Sequence, residues 1–123
     1  MNVFYVAAGG MLGAVARYAL GGLVHRLYGG AFPLGTLVVN TLGCIVIGLL
    51  STLADDRGLL SSHLRLFLFI GILGGFTTFS SFGYETFALL RDGLLRAAFT
   101  NVLANVFLGL LGVWLGHAGA RLL

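Results

Sequence analysis

The sequence predicts an all-α membrane protein of four transmembrane helices, with the third helix broken near mid-membrane. Three observations predict it. Of 123 residues, 59% are hydrophobic and only 9% charged, whereas a soluble domain carries about a quarter of its residues as charges; the mean hydropathy is +1.03. The apolar residues fall into four runs of about 20 residues or more, the length that crosses a hydrocarbon core of about 30 Å. The third run also contains a stretch, Gly71–Phe82, for which an ordinary membrane helix has no need.

The first span covers residues 3–23. Its glycines Gly9 and Gly13 form a Gly-x-x-x-Gly pair, with Gly10 between them, and small residues at that spacing let helix backbones approach closely. Arg17 and Tyr18 follow within apolar surroundings. His25, Arg26, Gly29, Gly30 and Pro33 read as the connecting loop. The N-terminus lacks a basic n-region, so the first run reads as a retained span rather than a cleaved signal. The second span covers 34–53, with Thr36, Asn40, Thr41 and Gly43 in its first half; Asp55, Asp56, Arg57 and Gly58 make a polar turn. The third span covers 64–90. Unbroken, its roughly 27 residues would reach about 40 Å at 1.5 Å per residue, longer than the hydrocarbon core. Arg91-Asp92-Gly93 turns the chain into the fourth span, 97–115, which carries Asn101 and Asn105; His117 and Arg121 follow it. No linker, low-complexity tract or repeat divides residues 1–123, which read as one membrane domain.

The stretch in span three reads Gly-Ile-Leu-Gly-Gly-Phe-Thr-Thr-Phe-Ser-Ser-Phe. Gly74 and Gly75 each weaken a helix by about 1 kcal/mol relative to alanine. The hydroxyls of Thr77, Thr78, Ser80 and Ser81 can bond to backbone groups that the helix releases. Irregular backbone at that depth survives only where protein or a watery cavity covers it, and transport proteins bind ions at such breaks.

Charge distribution bounds the function. The net charge of +3 comes from arginines at span ends and lysine is absent, a matter of membrane topology rather than nucleic-acid binding. Four spans place Arg57, Arg65 and Arg121 on one side and Arg26, Arg91 and Arg96 on the other. This balance assigns no orientation, and it suits a protein that inserts both ways and pairs as an antiparallel dimer. The lone Cys44 cannot form an intrachain disulfide and reads as a small packing residue. His25, His63 and His117 lack metal-ligand spacing. No nucleophile–base pair, phosphate loop or cofactor motif is present, so the chain does not read as an enzyme.

Polar side chains in lipid are candidate functional groups. Asn101 and Asn105, spaced i, i+4, share a face of span four, and Thr36 and Asn40 do the same on span two. Amide and hydroxyl donors can replace part of the hydration shell of a small anion; they can equally hold helices together. Phe79 and Phe82 could present positive ring edges to an anion at a narrow constriction, or simply fill space. Arg17 could draw anions to a pore mouth or snorkel to the interface. Glu85 is the only acid inside a span; it could carry a proton or a cation, or bond to neighbouring hydroxyls.

Together these residues resemble the Fluc (CrcB) family of bacterial fluoride channels. The likeness rests on Gly74-Gly75-Phe76-Thr77-Thr78-Phe79-Ser80-Ser81-Phe82 with Glu85, on Gly9-Gly10 through Gly13 to Arg17-Tyr18, and on the run Gly35 to Gly43 around Asn40, and it extends over nearly the whole chain. The resemblance implies a multi-pass protein of the bacterial inner membrane that lets fluoride out passively and relieves its toxicity. It implies an antiparallel, dual-topology homodimer with two pores and a structural sodium ion at its centre. Backbone carbonyls at the positions of Gly74 and Thr77 would hold the sodium. Phe79, Phe82, Asn40, Ser80, Ser81, Thr78, Arg17 and Glu85, and by position Asn101 and Asn105, would line the pores. Some members of that family carry tyrosine or serine where Asn101 and Asn105 stand. The rival reading is a small dual-topology, proton-coupled exporter of the multidrug type. Such exporters carry an acid in the first span, which this chain lacks, so Glu85 would have to serve.

Overall fold

A computed structural model describes residues 1–123; its regular elements are all helical, and four of its helical segments are long and apolar enough to cross a membrane. Helix α1 runs Asn2–Tyr28 and α2 runs Leu34–Asp55. The third span, Ser62–Arg91, is composite: a short α3 (Ser62–Arg65), a π-helical segment (Leu66–Leu73), one turn of α4 (Gly74–Phe76), two extended residues, then α5 (Phe79–Arg91). Helix α6 runs Leu95–Arg121. Helices α1 and α6 extend beyond the expected spans, so His25, Arg26, His117 and Arg121 are helical rather than loop residues. His25 and Arg26 lie in the last turn of α1 and Arg121 in that of α6, where an arginine complements the helix dipole and has no reason to end the helix.

Glycine seams set the packing. Helix α1 lies along the π-helical segment and α4, and α2 lies along α6. A Cβ on Gly13 would run into the Ile72 carbonyl oxygen, and one on Gly9 into that of Phe67. The Gly-x-x-x-Gly pair therefore brings two backbones together, as its spacing predicts. Across the other seam, Gly48 meets the backbone at Val113 and Gly116 meets it at Ile45. At one end of that seam, Thr52 Oγ1 pairs with His117 Nδ1 at 2.7 Å, and Arg57 donates to the Ala120 carbonyl at 3.2 Å. In the neighbouring turn Arg65 pairs with Asp55 at 2.8 Å.

The break is real, but it falls three residues beyond Gly74. Gly74 is helical, with φ −62° and ψ −38°. Thr77 (φ −83°, ψ 157°) and Thr78 (φ −150°, ψ 118°) are the extended residues. The glycines serve contact instead: a Cβ on Gly75 would lie 2.6 Å from the Gly10 carbonyl oxygen and 3.1 Å from the Ala14 amide. The break settles at Thr77-Thr78 because side chains there and on α2 can take over the released backbone groups, which glycine could not do.

Candidate functional site

The site is built around that break. Thr78 caps α5: its Oγ1 accepts from the Ser81 amide at 3.2 Å and donates to Ser81 Oγ at 3.0 Å. Asn40 reaches across from α2 and treats the Thr78 backbone as a strand would. It accepts the Thr78 N–H at Oδ1 (2.8 Å) and donates from Nδ2 to the Thr78 carbonyl (3.0 Å). From α1, Arg17 donates to the Thr77 carbonyl at 3.3 Å, so its guanidinium is turned to the break rather than to the interface. Gly43 leaves the room that Thr77 needs, since a Cβ there would strike Thr77 Cγ2.

Two clefts meet at Thr78. One, of about 410 Å³, opens beside the α1–α2 connection and is lined by Arg17, Tyr18, His25, Thr36, Ser81 and Glu85. The other, of about 420 Å³, is lined by Asn40, Gly74, Thr77, Phe79, Phe82 and Asn105. Cys44 also faces the second cleft. The Asn40–Thr78 pair stands between them. Phe79 and Phe82 have ring centroids 5.5 Å apart with planes inclined by 51°, so they present edges as well as faces. Phe79 is 82% exposed. Ser80 is also exposed.

The hydrogen bonds show which donors remain free. Asn40 Nδ2 also donates to Asn105 Oδ1 (3.3 Å), so both of its N–H groups are engaged. Asn105 Nδ2 donates to the carbonyl and to Oδ1 of Asn101 (2.9 and 3.0 Å). Asn101 donates to Thr86 Oγ1 at 2.9 Å, and Thr86 donates to the Phe82 carbonyl at 2.8 Å. Asn101 is 0% exposed and lines neither cleft. What can still donate toward the clefts is the Ser81 hydroxyl, which only accepts from Thr78, and the remaining N–H groups of Arg17. The amide end of α5 adds the positive pole of its dipole. Glu85 accepts the Thr36 hydroxyl at 2.8 Å on one oxygen, and its other oxygen is buried without a protein partner.

Thr86 was not singled out from sequence. Its signal was its place four residues after Phe82, from which a threonine hydroxyl reaches back to a helical carbonyl.

The donor set at the break suits a hard cation in chemistry. In a continuous helix the Thr78 N–H would close on the Gly74 carbonyl; here it goes to Asn40. The Thr77 carbonyl keeps one lone pair beyond its bond to Arg17. Two carbonyls are few for a hard cation, which takes about six oxygens.

Similarity to known proteins identifies the family. The family model described as "CrcB-like protein, Camphor Resistance (CrcB)" matches residues 4–117. The chain belongs to the CrcB family. Among its CrcB relatives, one from Geobacter sulfurreducens is 53% identical over 98% of this chain and 97% of its own length. One from Opitutus terrae is 51% identical over 94% of this chain and 89% of its own. One from Rhodospirillum rubrum is 46% identical over 100% and 97%. Each is named "Fluoride-specific ion channel FluC". CrcB membership places this chain among membrane transport proteins rather than enzymes.

Proposed function

We propose that this protein is a fluoride-selective channel that lets the ion leave the cell passively. The single observation that carries the reading is the Thr77-Thr78 break, where Arg17, Asn40 and Thr78 converge between two clefts and Phe79 and Phe82 flank one of them. The names of the CrcB relatives supply the ion. A small, strongly hydrated anion needs donors in succession, held weakly enough to let it go. Arg17 raises its concentration at the first cleft. The Ser81 hydroxyl and the α5 amide end take over part of its shell, and the edges of Phe79 and Phe82 continue the path.

The working unit is a homodimer, with its two copies antiparallel and a pore on each side. Only 11% to 33% of each span is buried within one chain, so most of its surface awaits lipid or a partner. Lipid cannot cover extended backbone or the exposed Ser80 hydroxyl, whereas a second copy crossing at the break covers both. It also doubles the carbonyls of Gly74 and Thr77, enough to hold a structural sodium ion together with water.

The test is efflux from liposomes holding the purified protein, read with a fluoride electrode and repeated with chloride. Rapid fluoride loss with negligible chloride loss is expected. A folded, sodium-containing sample that releases no fluoride refutes the reading. Proton-dependent uptake of organic cations, abolished in Glu85→Gln, would establish the exporter in its place.

A further inference from the structure

We infer that Asn101 and Thr86, neither of which lines a cleft, are positioning residues that hold the Asn40 amide in the orientation the break requires. The inference rests on the channel reading above. The observation is a hydrogen-bond chain that runs in one direction only. The Phe82 carbonyl can only accept, so the Thr86 hydroxyl donates to it and presents its lone pairs elsewhere. Asn101 must then turn its NH₂ to Thr86, which leaves its Oδ1 facing Asn105. Asn105 therefore turns its NH₂ to Asn101 and its Oδ1 to Asn40. Asn40 in turn directs NH₂ to Asn105 and Oδ1 to the Thr78 N–H.

Each amide is symmetric in shape but not in chemistry. Flipping any one of them would set two NH₂ groups or two oxygens against each other. Backbone pins the sequence at three places: the Phe82 carbonyl orients Thr86, the Asn101 carbonyl orients Asn105, and the N–H and carbonyl of Thr78 orient Asn40. All three anchors agree in direction, and Thr86 and Asn101 link α5 through α6 and α2 to the amide that bonds its own N-terminus. Asn101, with no exposed surface, has no partners beyond this chain to choose from.

The experiment is single-channel recording of fluoride current in planar bilayers from wild type, Thr86→Val, Thr86→Ser and Asn101→Leu. A defect in folding lowers the number of channels inserted; loss of positioning lowers the current through each one. Thr86→Val, which keeps the shape but removes the hydroxyl, should reduce unitary current about threefold to tenfold, the worth of one hydrogen bond. Thr86→Ser, which restores the hydroxyl, should return it to near the wild-type value. Asn101→Leu should match or exceed the loss in Thr86→Val. Wild-type unitary current in Thr86→Val overturns the inference, even if Asn101→Leu fails to insert. So does an equal loss in Thr86→Ser. Wild type that carries no fluoride current would instead overturn the channel reading, and this inference with it.

Discussion

Replacing Asn40 by aspartate separates the two things that Asn40 does. The asparagine accepts one hydrogen bond from the Thr78 amide and gives two, to the Thr78 carbonyl at 3.0 Å and to Asn105 at 3.3 Å. Aspartate keeps the first and loses both of the others, setting an oxygen against two acceptors. Interhelical hydrogen bonds in membrane proteins are worth about 0.6–1.7 kcal/mol each, so the loss to stability is about 1–3 kcal/mol. The effect on transport is larger and of different origin. With an effective dielectric of about 20, a fluoride passing about 4 Å from the new carboxylate meets about 4 kcal/mol of repulsion. That is about a thousandfold in rate. Asn40→Leu adds no charge but removes all three hydrogen bonds, the acceptor of the Thr78 N–H included, and so sets an upper limit on the hydrogen-bond effect. The assay is initial fluoride efflux from liposomes, with size-exclusion profiles to confirm assembly. Aspartate should nearly abolish efflux, and leucine should leave a measurable fraction. Wild-type efflux from well-assembled Asn40→Asp would refute the argument, because it would place the ion's path away from Asn40.

Other outcomes follow from the same geometry. Gly13→Ala should destabilise the protein by about 1–3 kcal/mol, because its methyl meets backbone at Ile72 and Phe76 rather than a yielding side chain. Gly10→Ala, with nothing within 4 Å of the added carbon, should be neutral or stabilising; thermal denaturation in detergent compares the pair. Phe79→Ile should slow fluoride efflux about tenfold, the equivalent of about 1.4 kcal/mol from one lost ring edge, without loss of assembly. Replacing sodium by a bulky organic cation throughout purification should lower fluoride efflux, and returning sodium should restore it; efflux indifferent to sodium would remove the ion from the proposal.

Four spans, their order and the unusual third one were legible in the sequence, because hydropathy over 20 residues is a local property that lipid enforces directly. The ends of α1 and α6 were less so, since histidine and arginine suit a last helical turn as well as a loop. The stretch that breaks, Gly71–Phe82, was legible; the residue at which it opens was not. Gly74 and Gly75 are the weakest helix formers in the stretch, yet both stay helical because backbone from α1 presses on Gly75. The chain opens at Thr77-Thr78, where Asn40, 38 residues away, supplies the hydrogen bonds that the helix gives up.

The same distinction divides the polar residues. Composition and spacing alone determined that a row of amides and hydroxyls lies within the membrane on spans two, three and four. Only the tertiary structure decided which of their donors are spent and which are free. Asn40 and Asn105 commit both N–H groups to neighbours, Asn101 is sealed between helices, and the Ser81 hydroxyl and Arg17 keep donors for the clefts. A hydrogen bond has two ends and a direction, and a sequence names the groups without saying which of them meet.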